Sequence, residues 1–291
     1  MTVSKTAATP VLRTVGLAKT YHDFWGRPRV QALAGLDLEV APGEVFGLLG
    51  PNGSGKTTTI KLLLGLLSPT KGEAFVFGRD PGDQDAKRRI GYLPEETYLY
   101  RFLDAEETLS FFGRLFGLPS ALIKSRSDEL IKLVGLEHAR KRRLGEYSKG
   151  MARRLGLAQT LINDPALVIL DEPTSGLDPI GSAEVKDLIL RLKQAGKTVL
   201  LCSHLLADVE DVCDRIAILH QGVLRELGPV DALLRADDRI QVELKGPSTE
   251  QLAAIRAAAG SSLVSVAPPR ERLESHFRRI ITEARSGGDK P

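Results

Sequence analysis

Short, uninterrupted apolar runs alternate with longer segments of helical period along most of this chain. Val45-Phe46-Gly47-Leu48-Leu49, Ala166–Leu170 and Thr198–Cys202 contain no charged position. That is the pattern of strands buried on both faces of a parallel sheet. The first run leads directly into the glycine-rich stretch Gly50–Lys56, and a helix is expected over Thr57–Leu67, stopped by Ser68-Pro69. Residues 104–162 change character: strand-like runs disappear, and Leu109, Phe112, Leu115 and Phe116 recur at helical spacing. A helical insert therefore interrupts an α/β alternation. An amphipathic helix at about 180–194 joins the last two apolar strands.

Near Arg235 the pattern changes again. Ile240, Val242 and Leu244 alternate as a half-buried strand does, and Ser248 with Gln251 has the spacing of a capping box for a helix through Ala259. A strand over Ser262–Ala267 and a helix over Arg270–Arg285 would complete a small β-α-β-α appendage spanning 239–285. Residues 1–10 and 286–291 read as tails around a main domain at 11–235. The expected fold class is α/β.

Composition narrows the classes of function. With 291 residues, 42% apolar and 26% charged, the chain can bury a full core. Forty basic against thirty-seven acidic residues leave a net charge of +3, too even for a protein built for non-specific nucleic-acid binding. Two cysteines, Cys202 and Cys213, are too few for a disulfide framework and fit a reducing compartment as core residues. The opening MTVSKTAATP lacks the apolar core of a secretory leader, and no run reaches the ~18 apolar residues of a membrane span. A soluble, cytosolic protein is expected. Residues 124–154 carry ten basic and four acidic side chains, densest at Arg140-Lys141-Arg142-Arg143. A solvated helix face is the favoured reading of that excess, ahead of attraction to an anionic membrane or an acidic partner.

Chemistry concentrates after the first apolar strand. Gly50-Pro51-Asn52-Gly53-Ser54-Gly55-Lys56-Thr57 has the G-x-x-x-x-G-K-[ST] form of a phosphate-binding loop, placed between a strand and a helix as its mechanism requires. Glycines let backbone N–H groups turn inward around phosphates, and the helix N-terminus adds a favourable dipole. Lys56 would reach the terminal phosphates, and the Thr57 hydroxyl would ligate Mg²⁺. The apolar strand Leu167–Leu170 ends in Asp171-Glu172. Alone, such a pair could cap a turn. Beyond the carboxyl end of a strand in the same sheet as a phosphate loop, Asp171 is placed to hold Mg²⁺ through its water shell and Glu172 to deprotonate an attacking water.

Further motifs fall in order around these. Tyr147-Ser148-Lys149-Gly150-Met151 resembles the LSGGQ signature of the ATP-binding cassettes of ABC transporters, and it lies between the loop and the acidic strand. Pro173–Asp178 resembles that family's D-loop, and His204 its switch histidine. Tyr21 stands where the family places an aromatic ring against adenine, with Phe24 and Trp25 as rivals. The resemblance covers roughly residues 11–235 and implies a P-loop NTPase core of ABC ATPase type with a helical subdomain at about 96–162. It implies ATP contacts from Tyr21, Gly50, Pro51, Asn52, Gly53, Ser54, Gly55, Lys56, Thr57 and Thr58. Ser148, Lys149 and Gly150 would contact the ATP of a second protomer, since a hydroxyl at a helix N-terminus favours an anion.

Three positions depart from the family's pattern. After Ile90-Gly91-Tyr92-Leu93-Pro94 the usual glutamine is Glu95, which still offers Mg²⁺ an oxygen; Lys149 and Met151 replace the signature's first glycine and its glutamine. Lys149 would add positive charge facing the partner's nucleotide, offsetting Glu95. The implied function is ATP hydrolysis by a homodimer that drives a separate membrane permease, of export type, from the cytoplasmic side of the cell membrane. Tyr98, Leu99, Tyr100 and Phe102 would help form the groove for a permease helix. The alternative is a soluble ABC ATPase acting on nucleic acid or ribosomes; with one cassette on the chain, no nucleic-acid partner is expected.

Overall fold

Alternating burial organises the first strands of the computed structural model, which describes residues 9–235 and 244–262. In β1 (Leu12–His22), Leu12, Thr14 and Leu17 face inward, and β2 (Pro28–Val40) pairs with it antiparallel, burying Leu36, Leu38 and Val40. β3 (Val45–Leu49) is buried throughout and leads through the glycine-rich loop into α1 (Lys56–Leu63). This helix stops before Leu67. Leu66 N–H returns to the Lys61 carbonyl at 2.9 Å while Gly65 takes φ +64°, a left-handed helix end that overrides the apolar run through Leu67. β4 (Lys71–Val76) pairs with the other edge of β1, giving a three-stranded antiparallel sheet in the order β2-β1-β4.

The chain continues through α2 (Gln84–Arg88), capped by Asp83, to β5 (Ile90–Leu93). Helices α3 (Ala105–Leu115), α4 (Ser120–Leu133) and α5 (Lys149–Thr160) follow. A complete capping box between Asp104 and Glu107 starts α3. Leu109 is buried there and Phe112 packs against the core, but Leu115 and Phe116 are exposed, so the apolar face is shorter than the spacing suggested. Then come β6 (Leu167–Asp171), α6 (Pro179–Gln194), β7 (Thr198–Ser203), α7 (Leu206–Val212), β8 (Arg215–His220), β9 (Val223–Pro229) and α8 (Val230–Leu233).

The second sheet runs in the order β5-β6-β7-β3-β8-β9, with β9 alone antiparallel to its neighbour. Its two faces feed two cores, as period-two strands require. Val45, Leu49, Val168, Leu170, Val199 and Leu201 meet residues of α3–α6; Phe46, Leu48, Ile169, Leu200 and Cys202 meet α1 and the three-stranded sheet. Register decides the site. Asp171 lies opposite Cys202, and Leu49 opposite Ser203, so the carboxyl ends of β6, β7 and β3 stand side by side at one edge.

Met1–Leu233 form one compact unit and Leu234–Pro291 another. In the second, α9 (Thr249–Ala259) begins with both halves of the Ser248–Gln251 capping box in place. The strand expected from residue 239, the strand and helix expected after it, and the tails fall wholly or largely outside the described residues. Cys202 and Cys213 are free, and burial pushes both thiols up, so neither is a ready nucleophile. The basic run is largely paired within the chain: Arg140 with Glu106 and Asp128, Lys141 with Glu106, and Arg143 with Glu107 at 2.8 Å. No helix of the described residues is long and apolar enough to cross a membrane.

Candidate active site

The loop after β3 is shaped by what cannot fit. At Gly50, with φ +155°, a Cβ would lie 2.3 Å from the Leu219 carbonyl oxygen and 2.5 Å from Ser54 Oγ. Any other residue would push the loop off the end of β8. Gly55, the N-cap of α1, supplies no capping side chain, which leaves the first N–H groups of the helix for an anion. The Ser54 hydroxyl is buried without a hydrogen-bond partner, and the Thr57 side chain is exposed at the helix start. Lys56 is buried rather than extended. Its ammonium donates to the Gly50 carbonyl at 2.6 Å and to that of Pro51 at 3.4 Å. It also lies 3.8 Å from Glu172 Oε1.

Glu172 is fixed from several sides. Its backbone sits at φ +50°, a conformation that non-glycine residues hold only when the surroundings over-determine it. Its N–H donates to the Cys202 carbonyl at 2.9 Å, which continues the β6–β7 ladder by one residue. Oε2 lies 2.8 Å from His204 Nδ1, and the His204 backbone N–H points at the same oxygen from 3.4 Å. Glu172 and the histidine beyond the adjacent strand are therefore in direct contact. Asp171 is buried beside them, and its pKa is pushed up to about 6, first by burial and then by the carboxylates of Glu172 and Glu95. Glu95 itself is exposed.

This burial makes Asp171 costly to the nucleotide-free fold. Its pKa rises from 3.8 to about 6 on folding, so below pH 3.8 neither state carries the charge and folding incurs no penalty. Between pH 3.8 and about 6 the unfolded chain ionises this carboxyl while the folded one keeps its proton, so stability falls across that window, and the penalty is complete above it, where the folded protein must carry the buried charge. Asp171→Asn should thus raise the thermal midpoint of nucleotide-free protein at neutral pH. The gain should fade as the buffer is acidified from pH 6 towards pH 4, and equal midpoints at neutral pH would contradict it.

Of the three aromatic candidates near the N-terminus, only Tyr21 reaches the loop. Its hydroxyl is 3.4 Å from Thr58 Oγ1, whereas Phe24 and Trp25 pack edge to face on each other in the exposed β1–β2 turn. Ser148 caps α5, its Oγ accepting from Met151 N–H at 3.2 Å, which leaves the hydroxyl proton to donate elsewhere. Met151 turns into the core, explaining why an apolar residue serves there. Lys149 lies across the Pro173–Asp178 segment of its own chain: a Cβ on Gly176 would be 2.5 Å from its Nζ. Asp178 then caps α6, with Pro179 as its first residue.

One side chain at the site escaped the sequence reading. Arg153, on α5, is buried and donates to five backbone carbonyls and one hydroxyl gathered from two loops. Nothing in its sequence position, inside a basic run, separates it from its solvent-facing neighbours.

Residues 33–175 match the model of the family described as ABC transporter. The chain is 48% identical over 236 residues to an uncharacterised ABC transporter ATP-binding protein of Nostoc, covering 80% of this chain and 70% of that protein. The chain belongs to the ABC transporter family. It carries the family's ATP-binding cassette, the ATPase that powers transport. A fluoroquinolones export ATP-binding protein of Mycobacterium tuberculosis is 39% identical, covering 84% of this chain and 79% of its own length. Among solved structures, the dimeric post-hydrolysis state of the cassette MJ0796 with ADP and Pi matches with a TM-score of 0.69 at 25% identity, covering 75% of this chain and 98% of that one.

Proposed function

We propose that two copies of this chain close head to tail around two ATP molecules, hydrolyse them, and drive a separate membrane permease that exports its substrate. The observation that carries the hydrolytic part is the Glu172 carboxylate, held at the phosphate loop between His204 at 2.8 Å and Lys56 at 3.8 Å. Gly50–Thr58 hold the phosphates, with Lys56 leaving its carbonyl partners for them, and Tyr21 stacks on the adenine. Ser148, Lys149 and Gly150 close over the nucleotide of the other copy. Thr57, Asp171 and Glu95 would be the oxygen donors for Mg²⁺, few and hard, as suits an ion that takes other ligands from the substrate. When bound, Mg²⁺ neutralises charge developing on the phosphates.

The chain's own residues handle the proton. Glu172 Oε accepts it from the attacking water, and His204 holds the carboxylate in position through Nδ1. The export direction is carried over from the mycobacterial fluoroquinolones export ATP-binding protein, 39% identical to this chain. No matched relative named above favours the nucleic-acid alternative.

The permease contact falls to an aromatic patch after β5. Tyr98, Tyr100 and Phe102 are exposed, and Tyr100 lies 5.8 Å from Phe102 and 5.7 Å from Phe111 between ring centres. Leu99 turns inward and packs on the core, so it supports this patch without being part of its surface. Affinity purification of the chain from detergent-solubilised membranes of its own cell should bring down one integral membrane protein. Replacing Tyr100 and Phe102 by Ser should release it. Recovery of the chain alone, or with ribosomes, would overturn the transport reading.

A further inference from the structure

The six acceptors of Arg153 lie in two places that chemistry and coupling both use. Nη2 donates to the carbonyls of Asp171 at 2.6 Å and Glu172 at 2.7 Å, and Nε donates to that of Pro173 at 3.2 Å. Nη1 donates to the carbonyl of Pro94, to that of Glu95 at 2.9 Å, and to Thr97 Oγ1 at 3.0 Å. The first set is the end of β6, where the acid pair sits. The second is the start of the segment that carries the exposed aromatic patch. The side chain that joins them rises from α5, one turn after Ser148 and Gly150. One turn further on, Gly156 makes room for the same segment: a Cβ there would lie 2.7 Å from Thr97 Cγ2.

Physical chemistry explains why arginine is used. Backbone carbonyls at the ends of β5 and β6 need donors once buried; Ser175 N–H reaches that of Glu172 at 3.1 Å, and Arg153 reaches those of Pro94, Glu95, Asp171 and Glu172 together. A planar guanidinium presents five N–H groups in fixed directions, so one side chain can satisfy both strand ends. An ammonium has three donors radiating from one point and cannot span them. Burial disfavours the charge, and the nearby carboxylates of Asp171, Glu95 and Glu172 offset part of that cost. The Glu172 carbonyl is the valuable acceptor, because that residue's left-handed backbone needs support from outside the strand.

From this geometry we infer that Arg153 is a positioning residue for hydrolysis: it locks the backbone of the base Glu172 to the signature helix and to the permease-facing segment. It touches no reacting atom. Movement of α5 on closure over the partner's ATP is thereby delivered to Glu172, and displacement of the segment 94–97 by a permease reaches Glu172 by the same side chain.

The inference rests on the ATPase reading, and the two fail separately. Wild-type hydrolysis and its loss in Glu172→Gln test that reading. Arg153→Lys and Arg153→Gln, compared with wild type in the same assay, test this one. Both variants should fold, and both should bind an ATP analogue as wild type does. Their kcat should fall by about tenfold to 10²-fold, the range that a misplacement of roughly 1 Å produces, with KM for ATP nearly unchanged. Arg153→Ala should recover part of its kcat when guanidinium is added at low millimolar concentration, whereas added ammonium should not help. A folded variant with wild-type kcat would overturn the inference. So would kcat and folded fraction falling in parallel with no rescue, or failure of all three variants to fold, since either would reduce Arg153 to a residue that only holds the fold.

Discussion

Glu172→Gln is expected to lower the rate of ATP hydrolysis by about 10²–10⁴-fold, the usual contribution of a general base, while leaving ATP binding intact. The amide has nearly the shape of the carboxylate, so most contacts that fix the residue survive. The backbone bonds to Cys202 and from Arg153 do not involve the replaced atom, and the single amide oxygen keeps the place of Oε2 beside His204, while the amide nitrogen replaces Oε1 and only the 3.8 Å contact with Lys56 is given up. What is lost is the ability to take a proton from water. Opening of the closed pair normally follows hydrolysis, so the variant should accumulate as an ATP-bound dimer. Size-exclusion chromatography with Mg-ATP would then show wild type mainly as monomer and the variant as dimer. Adding Ser148→Arg should return it to monomer, because a bulky cation at the start of α5 blocks closure on the partner's nucleotide. A Glu172→Gln protein that hydrolysed ATP at the wild-type rate and never dimerised would require both the base and the two-site arrangement to be abandoned.

The parts of this site that were legible in the sequence share a physical feature: each is dictated by local backbone chemistry. A strand, a glycine turn and a helix N-terminus must follow one another for Gly50–Thr57 to cradle a phosphate, and that order is visible in a string of letters. The apolar strand ending in Asp171-Glu172 is visible for the same reason. Interactions set by register between distant strands were not. That Glu172 contacts His204 depends on β6 and β7 being neighbours, and residues 172 and 204 are joined only by that pairing. Arg153 was hidden more deeply, since a buried arginine inside a basic run has the composition of a surface helix. Its role is written in the carbonyl directions of two strand ends, which no periodicity reports. The early stop of α1 was a different failure: Gly65 was present in the sequence, and its left-handed turn outweighed the apolar residues beyond it.

Lys56→Ala should abolish useful ATP affinity, and the structure adds a second consequence that the motif alone does not. In the structure the ammonium is buried, bridging the Gly50 and Pro51 carbonyls and facing Glu172. Phosphate must compete for it, so the lysine exchanges one set of acceptors for a more highly charged one. Charge-assisted hydrogen bonds contribute about 1.5–3 kcal/mol each, and losing two of them weakens binding by roughly 10²–10⁴-fold. Removing the amine also strips the loop carbonyls of a donor and leaves the Glu172 carboxylate without its nearest cation. A lower thermal midpoint of the nucleotide-free variant should therefore accompany the loss of affinity, where a lysine extended into solvent would leave the midpoint unchanged. Calorimetric titration with a non-hydrolysable ATP analogue and a melting curve without nucleotide read the two effects separately. Wild-type affinity would refute the phosphate-loop assignment. Lost affinity with an unchanged midpoint would instead show that the buried ammonium contributes nothing to the resting loop.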